Sequence, residues 1–216
     1  MLSSANSINI GRLAPQVVYY FRAYGDLVRA GRIRLGDKVD FAVPTGNFGD
    51  ILAGWFAKCM GLPVGRLVCA SNANDVLTEF LRTGRYDRRR PFYKTTSPSM
   101  DILVSSNLER LLYLLSGDAA YVASLMAQLS EQGWYQVSDE LLAKLQESFG
   151  CGCCDDAGAA RVIGELWREE KYLCDPHTAV AWAVAQEQTG DAPMVVLSTA
   201  SPYKFPAAVL GALGED

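Results

Sequence analysis

The residues best placed to do chemistry lie in one run, Val39-Asp40-Phe41-Ala42-Val43-Pro44-Thr45-Gly46-Asn47-Phe48-Gly49-Asp50. A short apolar stretch is broken by Pro44, Gly46 and Gly49, and an apolar helical pattern starts at Ile51. Strand, glycine loop, helix is the geometry of an anion site. Glycines let the backbone turn its N–H groups inward, and the helix N-terminus adds the positive end of its dipole. The spacing matches neither G-x-G-x-x-G nor the lysine-bearing phosphate loop, which sets dinucleotides and ATP aside. A plain tight turn satisfies the same pattern, and Asp50 suits a helix cap at that place.

Other chemistry is thinly represented. His177 is the only histidine, so no Ser–His–Asp or Cys–His set assembles, and the carboxylates are scattered. His177 reads as a residue of an early helical turn, and Asp101 and Asp175 read as caps. The six cysteines are Cys59, Cys69, Cys151, Cys153, Cys154 and Cys174. Cys151-Gly152-Cys153-Cys154 is too tight for a tetrahedral zinc site, and no second pair stands at a matching spacing, so free thiols in a reducing compartment are expected. A net charge of −4 gives no reason to expect nucleic acid or an anionic membrane. Arg85, Arg88, Arg89 and Arg90 form the one basic cluster, read as a solvated loop. No signal peptide and no apolar run of membrane-spanning length is present, so a cytoplasmic protein is expected.

The elements that position the run follow from hydrophobic periodicity. With 216 residues, 50% of them hydrophobic, the chain can bury a sizeable core. Ile10, Leu13, Val17, Tyr20, Phe21, Tyr24 and Val28 follow a helical period, and Pro15 places the start of that helix only a few residues before it. Val39–Val43 and Arg66–Ala70 are continuous apolar strands, each followed by a polar turn and a helix, which argues for a parallel sheet and an α/β fold. Ligands at such sheets sit beyond the carboxyl ends of the strands, where Thr45–Asp50 and Ser71–Asp75 both fall. Helices are expected from Asn107, from Asp118 to Gln132 and from Ser138 to Phe149. Nothing strand-like interrupts them for about fifty residues, longer than a usual crossover, so residues 104–150 read as a peripheral helical insertion. Helices follow from Asp155 and from Asp175-Pro176, then a last strand, Met194–Leu197, its loop Ser198–Pro202 and a closing helix, Phe205–Leu213.

Five motifs in order carry a resemblance: Ser4-Ala5-Asn6-Ser7-Ile8-Asn9-Ile10, Pro44–Asp50, Ser97-Pro98-Ser99-Met100-Asp101-Ile102, Asp175-Pro176-His177-Thr178-Ala179 and Leu197-Ser198-Thr199-Ala200-Ser201-Pro202. Together they resemble the carboxyl-terminal half of the threonine synthase family, of its longer bacterial and fungal type. The resemblance implies an α/β, parallel-sheet domain of the tryptophan-synthase-β-like (fold type II) pyridoxal-phosphate enzymes over residues 1–216. It implies pyridoxal 5′-phosphate as cofactor and conversion of O-phospho-L-homoserine and water into L-threonine and phosphate. Carried over residue by residue, Gly46, Asn47, Phe48 and Gly49 hold the cofactor phosphate through their amides, and Thr199 bonds the pyridine nitrogen. A neutral hydroxyl there leaves that nitrogen unprotonated and tempers the electron sink. Ser4, Asn6, Asn9 and Arg12 form the substrate-side wall, where Arg12 can pair with a phosphate. Ser3 stands where the family is expected to carry a second asparagine.

One departure matters most. The family binds its cofactor on an upstream lysine in a phenylalanine-lysine-aspartate motif, and none of Lys38, Lys58, Lys94, Lys144, Lys171 and Lys204 has that context. The missing amino-terminal half is therefore the expected partner, and this chain alone is expected to be inactive. A non-catalytic remnant that binds pyridoxal phosphate or phosphate, or another fold type II enzyme, are the alternatives.

Overall fold

The computed structural model describes residues 8–215. The first helical pattern is divided: α1 (Ile10–Leu13) and α2 (Val17–Arg29) flank a 3-10 turn at Ala14–Gln16. Pro15 lacks an amide hydrogen and crowds the preceding carbonyls, so the backbone tightens locally and the axis carries on. β1 (Val39–Pro44) leads through the glycine loop into α3 (Gly49–Cys59), and β2 (Val64–Ser71) leads into α4 (Val76–Thr83). β3 (Arg85–Asp87) follows, then α5 (Leu108–Ser116), α6 (Ala119–Gln132), β4 (Trp134–Gln136), α7 (Asp139–Ser148) and β5 (Phe149–Cys153). The chain continues as α8 (Asp156–Glu170), α9 (Pro176–Gln186), β6 (Met194–Val196) and α10 (Pro206–Leu213). Among the described residues no helix is long and apolar enough to cross a membrane.

The expected parallel sheet is present, in the order β5-β2-β1-β6, with every pair parallel. Ala42 of β1 sits between Val68 of β2 and Val196 of β6. Strand side chains alternate between the two faces, so β1 feeds two separate cores. Phe41 and Val43 join Leu67, Ile51 and Leu52 on one face, whereas Ala42, Val68 and Ala70 meet Val162, Ile163, Val180 and Val184 of α8 and α9 on the other. Both faces are covered by helices, which is why the strands read as unbroken apolar runs.

Two expectations are corrected. The region after α4 contains strands: β3 and β4 pair antiparallel, with Tyr86 opposite Tyr135 and their rings stacked at 5.2 Å. More consequentially, Phe149–Cys153 is the edge strand of the main sheet, paired along β2 from Leu67↔Phe149 to Ser71↔Cys153. Two glycines and two thiols conceal it from propensity. They are what the position needs: a Cβ on Gly152 would stand 2.7 Å from Val184 Cγ1, so only glycine lets α9 lie this close. The helices of residues 104–150 contribute to the core on the Phe41 face of the sheet. Leu111, Leu112, Leu125, Leu129, Leu141 and Leu145 belong to the same core as Phe41.

The basic cluster is consumed within the chain. The Arg85 guanidinium lies 4.1 Å over the Trp134 ring and 3.1 Å from Asp87, and Arg89 pairs with Asp87 at 2.8 Å. Arg90 bridges Asp75, at 2.6 Å, and Glu79.

Candidate functional site

The glycine loop leaves β1 at the carboxyl end of the sheet, and its shape is set from outside. The Gly46 carbonyl accepts from Ser105 Oγ at 3.0 Å, and the Asn47 carbonyl accepts from the Asn107 backbone N–H at 3.2 Å and from its Nδ2 at 2.8 Å. In a trans peptide the N–H points opposite its carbonyl. Pinning these two oxygens outward therefore aims the N–H groups of Asn47 and Phe48 the other way. Among the described residues no main-chain oxygen accepts from the N–H groups of Gly46, Asn47, Phe48 or Gly49. Phe48 caps α3 without any side-chain hydrogen bond, so the first helical turn is open as well. These are the donors of an anion cradle.

Phe48 takes a left-handed conformation, φ 59° and ψ 16°. That costs a non-glycine residue about 1–2 kcal/mol. Its buried ring, 5.7 Å from that of Phe149, offsets the strain by about 1.5–3 kcal/mol. Gly46 is required for a different reason: a Cβ there would meet Ser99 O at 2.5 Å and Met100 Cα at 3.2 Å. The segment at Ser99–Met100 thus rests directly on the loop.

A cavity of about 380 Å³ opens over the cradle. Gly46, Asn47, Phe48 and Gly49 border it, with Thr199 from the loop after β6 and Arg12 from α1, so six of the expected residues come together here. Asn9 does not border it. It is the N-cap of α1, accepting from Gly11 N at 2.8 Å. Ser4 and Asn6 lie outside the described residues. No lysine is among the residues that border the cavity.

Several participants were hidden from the sequence. His177 is an early-turn residue of α9, as expected, yet its ring borders the cavity and both nitrogens are engaged. Nε2 accepts from Ser99 N at 3.3 Å, and Nδ1 lies 2.8 Å from Asp175 Oδ1. A backbone N–H can only donate, which assigns the neutral tautomer protonated on Nδ1. Asp175 is the cap expected, accepting from the amides of His177 at 2.9 Å and Thr178 at 3.4 Å and also from the Thr178 hydroxyl. Burial pushes its carboxyl up, but the bonds from His177 and Thr178 outweigh that and hold it below the ordinary value.

Asp101 is not simply a cap. It accepts from Asn72 Nδ2 at 2.8 Å, Asn74 Nδ2 at 3.1 Å, Thr95 Oγ1 at 2.7 Å and Thr95 N at 3.0 Å. The loop after β2, expected near a ligand, is spent on fixing this segment and borders no part of the cavity. Asp50 is not the cap of α3 either. As the second helical residue it accepts from the buried Tyr20 hydroxyl, at 2.8 Å on its carbonyl and 3.2 Å on Oδ1. Burial pushes its carboxyl up to about 6, against the Tyr20 hydrogen bond.

Residues 178–216 match the family described as threonine synthase, C-terminal. The chain is 48% identical to threonine synthase-like 1 of Macaca fascicularis, over 99% of this chain and 29% of that protein. It is 43% identical to the threonine synthase of Pseudomonas aeruginosa, over 96% of this chain and 44% of that protein. Among solved structures, the pyridoxal-phosphate-bound threonine synthase from Brucella melitensis superimposes with a TM-score of 0.92 at 46% identity, covering 99% of this chain and 45% of that one. The chain spans less than half the length of these relatives.

Proposed function

We propose, from the premise that the chain corresponds to the carboxyl-terminal part of the threonine synthases, that it supplies the phosphate-binding half of a pyridoxal 5′-phosphate site. The reaction proposed for the completed protein converts O-phospho-L-homoserine and water into L-threonine and phosphate. The observation that carries this reading is the outward pinning of the Gly46 and Asn47 carbonyls, which aims unengaged amides into a cavity that Thr199 also borders. The donor set fits the cofactor: main-chain amides and a helix N-terminus suit a phosphate, and a neutral hydroxyl suits a pyridine nitrogen. When bound, the cofactor supplies an electron sink for chemistry at the amino-acid α-carbon.

Each residue of the chain then has a task. The amides of Gly46, Asn47, Phe48 and Gly49 hold the phosphate, and Thr199 fixes the ring by hydrogen bonding its nitrogen. Arg12 meets the anionic end of the substrate, and Ser4 and Asn6 are proposed to contact the same substrate. Asn9 acts by capping α1 and so setting the position of Arg12 three residues on. His177 moves no proton; it holds the Ser99 amide and thereby the segment that covers Gly46. Residues 1–216 form the large cofactor domain of a cytoplasmic enzyme, and its lysine comes from the amino-terminal part that the relatives possess beyond the matched region.

Reconstitution tests this. The chain is combined with the separately produced amino-terminal part of a threonine synthase, pyridoxal phosphate and O-phosphohomoserine. Phosphate and threonine should form only in the full mixture. A mixture that associates and binds cofactor but forms no threonine would overturn the enzymatic reading and leave a cofactor-binding remnant.

A further inference from the structure

We infer that Asp50 and the phosphate seated in the Gly46–Gly49 cradle share a single proton, so that under alkaline conditions the site takes up a proton as it binds a phosphomonoester. The inference rests on the cofactor-phosphate reading above and adds to the cradle a residue whose charge decides which ionic form is accepted.

The first turn of α3 brings an acidic residue to the border of the cavity proposed for the phosphate. Asp50 stands in the first turn of α3, beside the same N–H groups that form the cradle, and borders its cavity. It also borders a second cavity of about 440 Å³ that runs along β6. Oδ1 accepts from Tyr20, while Oδ2 takes no hydrogen bond from any described residue. Tyr20 of α2 bonds it, and the other titratable or charged residues that border the two cavities are Tyr19 of α2, Arg12 of α1 and His177 of α9. The β6 side presents Val195, Val196, Leu197, Ser198 and Thr199, with no charge among them. No ion pair between described residues engages Asp50.

A carboxylate and a phosphate dianion at one helix end disfavour each other's ionisation. Burial already brings the Asp50 carboxyl up to about 6. The second ionisation of a phosphomonoester lies at about the same value, roughly 6. Groups of matched acidity are suited to sharing a proton, with the O–H of one donating to an oxygen of the other. The proton balance follows. Near pH 8 both groups are ionised before they meet, so the complex draws one proton from solvent. Near pH 5 each brings a proton and one is released.

The test is calorimetric titration of the full chain with inorganic phosphate and with pyridoxine 5′-phosphate, which has the phosphate but no aldehyde. It runs from pH 5.5 to 9 in buffers of different ionisation heat. Uptake approaching one proton is expected at pH 8, with Kd weakening by about tenfold per pH unit above 7. In Asp50→Asn, and in Asp50→Ala as a second replacement, the alkaline slope and the uptake should vanish. A flat Kd in the unaltered chain, or the same slope in both variants, would overturn the inference while leaving the cradle intact. Absence of binding at every pH would overturn the cradle reading and the inference with it.

Discussion

His177 Nε2 accepts the backbone N–H of Ser99 at 3.3 Å, and Ser99 in turn presses its carbonyl against Gly46. One side chain on α9 therefore holds the segment that covers a loop far upstream of it in the sequence. In His177→Ala the Ser99 amide and Asp175 each lose a partner. Leaving a buried polar group unsatisfied costs about 1–3 kcal/mol. Thermal unfolding should shift down accordingly, and phosphate affinity should weaken without disappearing. An unchanged melting temperature would remove the positioning role.

Gly46 and Gly49 separate close approach from helix propensity. In Gly46→Ala the new methyl meets Ser99 O at 2.5 Å, against backbone that cannot yield cheaply. Overpacking of this kind costs about 1–3 kcal/mol, and phosphate binding should be lost or reduced by about tenfold or more. In Gly49→Ala the nearest atom is Asn107 Nδ2 at 3.7 Å, an ordinary contact. That helical position should gain about 0.5–1 kcal/mol. Denaturant melts of the two variants should move in opposite directions.

Asp50 makes stability depend on pH with a definite sign. Its folded pKa, about 6, lies above the unfolded value of about 3.9, so the folded state binds more protons between the two. Stability from this group is full below pH 4 and is lost as pH rises through 6. Two pKa units correspond to at most about 3 kcal/mol. Asp50→Asn should therefore be the more stable protein at pH 8 and lose that advantage near pH 4.5. Parallel melts at the two pH values measure the difference.

The placement of β5 can be tested through its contact with α9. Gly152→Ala should destabilise by about 1–3 kcal/mol, because its methyl would stand 2.7 Å from Val184 Cγ1. Val184→Ala removes that obstruction at the expense of a small cavity. The double variant should be more stable than the sum of the single effects, giving a coupling of about 0.5–3 kcal/mol. Strict additivity would contradict the packing of β5 under α9.

Much of this architecture was legible because local chemistry and fold agree. Continuous apolar strands, helices starting at Asp118 and Asp155, Asp175 as a cap and Pro176 at a first helical position all follow from short-range rules. β5 was illegible because its residues are chosen for the space under α9, and small residues carry no strand signal. The candidate site divides in the same way. The cradle residues stand together in sequence, whereas the Ser105 and Asn107 contacts that shape the loop, and the His177–Ser99 bond, join residues about sixty to eighty positions apart. No periodicity or spacing encodes such a pairing. The cap position that Asp50 also suits is taken by Phe48, held left-handed by its buried ring one residue before the helix.

The proposed role of this chain is to hold the cofactor's phosphate and ring nitrogen without the cofactor's lysine. Titration with inorganic phosphate and with pyridoxine 5′-phosphate tests it most directly. One saturable site for both ligands is predicted, lost for both in Gly46→Ala. In Thr199→Val affinity for pyridoxine 5′-phosphate alone should fall, by about threefold to tenfold. Binding that fails to saturate, or that survives Gly46→Ala unchanged, would contradict the account.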